Sequence, residues 1–459
     1  MIFDFKDTRE YEYVGAIQKL TKERPYKAHV MTFGCQQNEA DSEKIRSILK
    51  LLGYSVTEKT ESADLIILNT CAVRELAEKK AFSALGNLKA LKAENKSVLI
   101  GIAGCMAAED GVIAKIKKSF PYVNFTVQPN MLHKLPELIY FALKLNKKRY
   151  VINEDVGDLV EGMGAERTEG FSAWVSIMYG CNNFCSYCIV PYVRGRERSR
   201  DSKEIIAECR ELIDNGCREI TLLGQNVNSY SSDIDFATLL SQIASLDGDF
   251  IIRFMTSHPK DVSEELIRVI GTYTEKIAPT FHLPLQSGSD RILKLMNRTY
   301  DLEKYLATVK SLRKSRPDVA LTSDIIVGFP TETEEDFQKT LAALREVRFD
   351  MVYSFIYSKR EGTRAAEFEN QVDYSTQTER MGRLLELQTN ISYEENLKYK
   401  DSVQRVLIHK YEDGLYTGRT PTNKLVHVKS DEVGLLGQFV NVKIDTVSAF
   451  HLGGEFERN

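Results

Sequence analysis

Three short apolar runs near the start of the chain each end in a cysteine. Residues 27–34 lead to Cys35, 63–70 to Cys71 and 97–104 to Cys105. Helical periodicity fills the gaps, over 39–52 and 77–93. This alternation predicts a parallel sheet with right-handed crossovers over residues 26–150. Each cysteine then falls at the carboxyl end of a strand, the edge where open α/β sheets place their sites. Three thiols from three strands would converge there, with Gly34 and Gly104 allowing close backbone approach. One such cysteine alone reads best as a buried free thiol. Three at equivalent points of a repeating unit favour a shared site. Residues 1–25 are polar and mixed, and read as an arm without an assignable role.

A second alternating region spans 167–397, after an acidic, glycine-containing linker over 151–170. Strands are expected near 173–180, 219–226, 250–257, 279–286, 319–328 and 351–358. Helical patterns follow each, over 202–215, 234–246, 261–273, 300–314, 333–346 and 375–398. Asp201-Ser202 and the 331–334 stretch carry the polar and acidic residues of helix starts. Six such units make an incomplete form of the eight-unit barrel, whose sites lie in the loops after the strands. Polar groups fall there: Gln225 and Asn226, Ser257 and His258, Gln286 and Ser287, and Asp324. Singly, each is ordinary turn chemistry, and His258 could simply cap a turn. Their shared position at strand ends is the signal.

From residue 398 the pattern shifts to short alternating runs broken by Gly- and Asn-containing turns, which predicts a small all-β barrel over 398–459. The fold class is therefore α/β, with an open parallel sheet, a partial six-unit barrel and a small β-barrel in succession.

The densest chemistry is Gly180-Cys181-Asn182-Asn183-Phe184-Cys185-Ser186-Tyr187-Cys188. Three thiols this close let one loop wrap three sides of a small cluster. Thiolates ligate iron–sulfur clusters and also suit zinc. Three ligands instead of four leave an open position. A zinc loop completed by Cys209 or Cys217 is the structural alternative. Arg194, Arg196, Arg198 and Arg200 follow at once, either as a solvated loop or as a grip for phosphates.

Composition bounds the rest. Hydrophobic residues make up 43% and charged residues 27%, ordinary for a globular protein. No apolar stretch approaches the ~20 residues of a membrane span. The N-terminus MIFDFKDTRE lacks the basic and apolar regions of a secretory signal. Eight cysteines then suit a reducing cytoplasm and metal ligation. The net charge of −4 does not mark a nucleic-acid binder, so RNA contacts would need local basic patches.

The spacing CxxxCxxC with Tyr187 before the last cysteine resembles the radical S-adenosylmethionine (SAM) enzymes. TFGCQQNEADSE, NTCAVRE and GCMA resemble the N-terminal domain of their methylthiotransferase family, with Gln37 standing where members often have Met. YTGRTPTNKLVHV resembles the TRAM domain of tRNA-modifying enzymes. The resemblance implies two 4Fe–4S clusters, on Cys181, Cys185 and Cys188 and on Cys35, Cys71 and Cys105. SAM would lie against Tyr187, Gln225, Asn226, Gln286, Ser323 and Asp324. RNA would meet Arg194, Arg196, Arg198, Arg419, Thr420, Asn423 and Lys424, although residues 400–459 carry no net charge. A TRAM-like barrel that only packs on its neighbour is the alternative.

The implied reaction adds sulfur and methyl at carbon 2 of N6-isopentenyladenosine, position 37, in a tRNA anticodon stem-loop. An unactivated C–H bond there requires one-electron chemistry from a cofactor. An electron donor such as flavodoxin or ferredoxin and a sulfur source are implied as well. Siblings of the family act on threonylcarbamoyl-adenosine in tRNA or on an aspartate of a ribosomal protein. An iron–sulfur carrier that binds RNA without catalysis is the alternative from another class.

Overall fold

A computed structural model describes residues 10–150, 165, 167 and 170–457. The chain divides into two compact units. The first holds residues up to 168 together with 178–182 and 188–200; the second holds 169–177, 183–187 and 201 onwards. The linker expected over 151–170 lies almost wholly outside the described residues.

The first unit is a parallel sheet with helices on both faces. Its strands are β1 (Tyr26–Thr32), β2 (Tyr54–Val56), β3 (Leu65–Thr70), β4 (Leu99–Gly104), β5 (Phe125–Val127) and β6 (Arg149–Tyr150). They lie in the order β2-β1-β3-β4-β5-β6. Every residue of β3 and β4 is buried, as their unbroken apolar sequences require. Helices α1 (Tyr11–Glu23), α2 (Gln36–Leu51) and α5 (Leu135–Leu145) cover one face, with Val14, Ile17, Ile45, Leu49 and Leu138 in its core. Helices α3 (Glu75–Glu94) and α4 (Asp110–Ser119) cover the other through Leu85, Leu88 and Ile116. Of the arm expected over 1–25, residues 1–9 lie outside the described residues, and from Tyr11 the expectation is corrected by α1. Its Val14 and Ile17 recur on one helical face, a three-residue spacing set among flanking polar and charged residues such as Glu12, Gln18 and Lys19.

Strand order reverses between β1 and β3, since α2 leads outward to β2 while α3 leads the other way to β4. Loops leaving β1 and β3 therefore diverge and open a crevice at their carboxyl ends.

In the second unit β7 (Ser172–Ser176) begins the barrel. The expected strand over 173–180 breaks there: pairing with the next barrel strand ends at Ile177. Then β8 (Met178–Tyr179) turns to pair antiparallel with β9 (Arg198–Ser199) in the first unit, around the short helix α6 (Val190–Arg194). The barrel continues through β10 (Glu219–Leu223), β11 (Ile251–Phe254), β12 (Thr280–His282), β13 (Ala320–Val327) and β14 (Met351–Ile356). These pair as two parallel three-stranded sheets, β7-β10-β11 and β12-β13-β14. Ile252 joins them, its N–H donating to Lys276 O at 2.7 Å and its carbonyl accepting from Ala278 N at 2.9 Å. The six strands thus form one arc in sequence order.

Helices α7 (Ser202–Asp214), α8 (Phe236–Ala244), α9 (Glu264–Thr272), α10 (Asp290–Leu295), α11 (Leu302–Ser315), α12 (Glu334–Val347) and α13 (Tyr374–Leu397) accompany the arc. α10 is one more than the pattern predicts. As expected, Asp201 caps α7 through Lys203 N and Glu204 N, and Thr333 starts α12 in a capping box with Asp336. Such caps are worth about 1 kcal/mol each.

Strands β15 (Val403–Glu412), β16 (Leu415–Arg419), β17 (Leu425–Lys429), β18 (Phe439–Val447) and β19 (His451–Phe456) close into the small barrel, in the order β15-β16-β17-β19-β18. It sits against the amino ends of the arc's strands. Arg253 of β11 donates to Pro421 O at 2.7 Å and Thr420 O at 2.9 Å, and Lys424 pairs with Asp350 at 2.7 Å.

Candidate functional site

The first unit gathers three thiols at the crevice. Cys35 follows β1 and caps α2. Cys71 follows β3, and Cys105 begins a 3₁₀ turn after β4. Cys71 and Cys105 are buried. The Cys71 thiol donates to Cys35, which pushes the Cys35 thiol down to about 5 and the Cys71 thiol up. Burial pushes the Cys105 thiol up, while Arg194 beside it pulls the other way.

A buried amide network fixes the cradle. Asn38 Oδ1 accepts from the Cys35 backbone N–H and from its thiol, each at 3.4 Å. Asn38 Nδ2 donates to Thr70 O at 3.0 Å, and Asn69 Nδ2 to Asn38 O at 2.7 Å. Gly104 has φ +93, and a Cβ there would lie 2.3 Å from Thr70 O.

Arg194 is the unexpected member. It was expected on phosphates, with Arg196 and Arg198. Instead its side chain is 5% exposed, Nε donates to Cys105 Sγ at 3.2 Å, and Nη2 pairs with Asp41 at 2.9 Å. Val193 and Ile189 of the same turn pack against Ala72 and Cys105, which draws the arginine inward. Arg200 is buried too, Arg198 is half-buried and Arg196 is exposed.

The Cys181–Cys188 loop belongs to both units, and each part is held within its own. In the first, Gly180 has φ +78, and a Cβ would lie 2.0 Å from Arg196 O. Cys181 N donates to Gly195 O at 3.1 Å, and Asn182 N to Glu197 Oε1 at 3.0 Å. In the second, Ser186 N donates to Met296 O at 3.0 Å and its hydroxyl to Leu295 O at 2.8 Å. Asn297 donates to Asn183 O and Phe184 O at 3.2 and 3.0 Å. Arg298 Nη1 donates to Cys185 Sγ at 3.5 Å. Its other bonds go to Pro284 O and Tyr300 Oη, both at 2.9 Å.

Polar groups line the carboxyl ends of the arc. Gln225 Oε1, Asn226 Oδ1, Ser257 Oγ and Gln286 Oε1 are buried without hydrogen-bond partners among the described residues. Each such atom costs about 1–3 kcal/mol unless a ligand pairs with it. Gln286 also holds φ +70 and Thr256 φ +69, a left-handed backbone that costs a non-glycine residue about 1 kcal/mol or more. Tyr187 meets Phe329 edge-on at 6.5 Å. These groups fit the amine, ribose and adenine of SAM.

Asp324 and Ser323 part company. His282 Nδ1 bonds Thr322 Oγ1 at 2.9 Å, and its Nε2 lies 3.6 Å from the Asp324 carboxylate. Phe281 packs on Phe254, which packs on Phe236 of α8, so Phe281 faces the helices and His282 faces inward. Thr322 and Asp324 share that inner face. Ser323 alternates outward, fully buried, and accepts from Leu285 N at 2.9 Å. Its assignment to SAM is corrected: it braces the strand instead. His258 Nδ1 accepts from Lys260 N at 3.2 Å and caps its turn. Cys209 and Cys217 are buried, and the Cys217 thiol donates to Glu219 O at 3.2 Å. Among the described residues, no three His, Cys, Asp or Glu are drawn tightly enough around one point to hold a single metal ion.

The proposed RNA residues also divide. Arg419 is exposed and Asn423 half-buried. Thr420 is fully buried and the Lys424 side chain 10% exposed, both in the seam against the arc, so neither is available to phosphate.

Residues 175–344 match the Radical SAM superfamily, 27–128 the Uncharacterized protein family UPF0004 and 397–456 the TRAM domain. The chain resembles the radical SAM methyltransferase TsrM from Kitasatospora setae, with a TM-score of 0.55 at 12% identity over 74% of this chain and 75% of that one, a likeness of fold alone. Loop and barrel together define a radical SAM enzyme. The chain is 48% identical over 457 residues to the tRNA-2-methylthio-N(6)-dimethylallyladenosine synthase of Caldicellulosiruptor saccharolyticus, across 97% of this chain and 96% of that protein. It is 47% identical over 434 residues to the enzyme of that name from Thermoanaerobacter pseudethanolicus, across 93% and 92%. The chain belongs to the tRNA-2-methylthio-N(6)-dimethylallyladenosine synthase family.

Proposed function

We propose that this enzyme adds a methylthio group to carbon 2 of N6-isopentenyladenosine, position 37, in the anticodon loop of tRNA. The observation that carries the reading is the pairing of two cysteine sets in one chain, beside near-full-length kinship with synthases of that name. Cys181, Cys185 and Cys188 would hold one 4Fe–4S cluster, and Cys35, Cys71 and Cys105 a second. When bound, the first group supplies one-electron cleavage of SAM and the second presents sulfur.

The chain's own residues bind and orient. Asn226, Gln225 and Gln286 would offer acceptors to the methionine amine, Asp324 would meet the ribose, and Tyr187 would pack on the adenine. The target base, turned out of its loop, would enter at the carboxyl mouth of the arc. Arg196, Arg198 and Arg419 would meet backbone phosphates. Electrons would come from a small donor such as flavodoxin or ferredoxin, sulfur from a separate source, and the setting would be cytoplasmic. No helix among the described residues is long and apolar enough to cross a membrane.

Nucleoside analysis of tRNA from a deletion strain, with and without the gene restored, tests the reading. The methylthio mark on isopentenyladenosine should vanish and return. Anaerobic assays on isopentenylated and plain tRNA sharpen it. The isopentenyl group can contribute ~0.8 kcal/mol per buried CH₂ and fixes carbon 2 in place. Equal turnover of both tRNAs would overturn the proposed substrate.

A further inference from the structure

We propose that Arg194 is a positioning residue for the second cluster, holding the Cys105 sulfur by a hydrogen bond and setting the cluster's reduction potential. The proposal rests on reading Cys35, Cys71 and Cys105 as cluster ligands.

Burying a guanidinium is costly, and an ion pair alone seldom repays it. Arg194 and Asp41 are 5% and 3% exposed, so the pair has left water almost completely. Asp41 occupies Nη2 and leaves Nε aimed at sulfur, at 2.9 and 3.2 Å respectively. A neutral thiol needs no cation beside it. A thiolate bonded to iron carries negative charge and keeps lone pairs for an N–H donor. The planar fork of arginine serves two partners in fixed directions, which the compact ammonium of lysine does not. Donors to ligand sulfurs stabilise the reduced, more negative cluster and so raise its potential.

The position of Arg194 in the chain adds a second function. It is the last residue of α6, which begins two residues after Cys188. The same turn buries Ile189 and Val193 against Ala72 and Cys105. The exit of the SAM-type loop is thereby anchored on a ligand of the other cysteine set.

The test uses the full chain with Cys181, Cys185 and Cys188 replaced by Ala, so that iron loads only the strand-end cysteines. Arg194→Gln, Arg194→Lys and Asp41→Asn are made in that background and reconstituted anaerobically. Iron and sulfide are counted, and the midpoint potential is read by titration followed by electron paramagnetic resonance. The expected result is a full iron complement in all three variants. The midpoint should shift downward in Arg194→Gln, with partial recovery in Arg194→Lys, and upward in Asp41→Asn, which leaves the guanidinium charge unmatched beside the sulfur. If Arg194→Gln does not fold, the other two variants carry the test. Full iron with unmoved potentials and spectra would overturn the proposal. No iron in the parent background would instead overturn the ligand reading, and the proposal with it.

Discussion

The two cysteine sets reach similar ends by opposite routes. Cys181, Cys185 and Cys188 lie on one loop, and their grouping is local. Cys35, Cys71 and Cys105 follow three strands, and only the reversal of strand order between β1 and β3 brings the first two together. Both sets carry a buried arginine at a sulfur, Arg194 on Cys105 and Arg298 on Cys185, from 89 and 113 residues away in sequence. Their surroundings differ. Arg194 is matched by Asp41, whereas the other bonds of Arg298 go to a carbonyl and a phenol. Positive charge beside the local set also acts on His258, which is pushed down to about 2, first by burial and then by Arg298 and Lys260. A cysteine set gathered by topology thus comes with a neutral outer pair, and one gathered by spacing with a cation.

The largest test of this contrast removes the sulfurs. Cys181→Ala should abolish 5′-deoxyadenosine formation. Cys71→Ala should retain part of it and make no methylthio product, as read by chromatography of both products. Full product from the Cys71 variant would erase the distinction between the sets.

Glycines give the next largest effect. Gly104→Ala and Gly180→Ala each force a left-handed residue and drive a methyl into backbone, at 2.3 Å from Thr70 O and 2.0 Å from Arg196 O. Each should lower stability by about 2 kcal/mol or more. Iron loss should be confined to the strand-end set in the first variant and to the loop set in the second, measured in backgrounds that retain one set. Equal loss at both sets from either glycine would break the comparison.

The small barrel poses the same question of local motif against tertiary setting. Lys424→Ala takes from buried Asp350 its close cation and leaves it Leu321 N at 2.9 Å and Lys398 at 4.0 Å, and should cost about 3 kcal/mol in thermal or denaturant unfolding. Arg419→Ala should stay within about 0.5 kcal/mol of wild type yet weaken tRNA binding and reduce its salt slope by about 1. If Lys424→Ala left stability intact and moved only the salt slope, the inward reading of that seam would fall.

The smallest effect is a pH slope at His258. Its folded pKa lies below the ordinary value of 6.5, so below that pH the unfolded chain takes a proton that the folded one refuses. Stability should fall by about 1 kcal/mol per pH unit below ~6.5. Comparison of unfolding midpoints for wild type and His258→Asn at pH 7.5 and 5.5 isolates it. Parallel curves would mean that the imidazole is not held neutral.

What was legible in the sequence was whatever depends on near neighbours along the chain. The three-cysteine loop, the caps at Asp201 and Thr333, the six strand–helix units and the runs ending in Cys35, Cys71 and Cys105 all rest on local spacing and periodicity. Strands bury alternate or continuous apolar residues, and that pattern is written in order.

Partners chosen across space were not legible. The first arginine of a basic strip looks like its neighbours until the fold buries it, and Arg194 meets Asp41 from 153 residues away. Ser323 and Asp324 are adjacent in sequence, and only the facing of β13 sends one outward and the other to His282. Lys424 and Arg419 share one motif, yet docking against β11 and Asp350 takes the lysine and leaves the arginine. Charge and hydrogen-bonding capacity belong to the residue. Whether they meet water, a carboxylate or a sulfur depends on burial, which the tertiary structure alone decides.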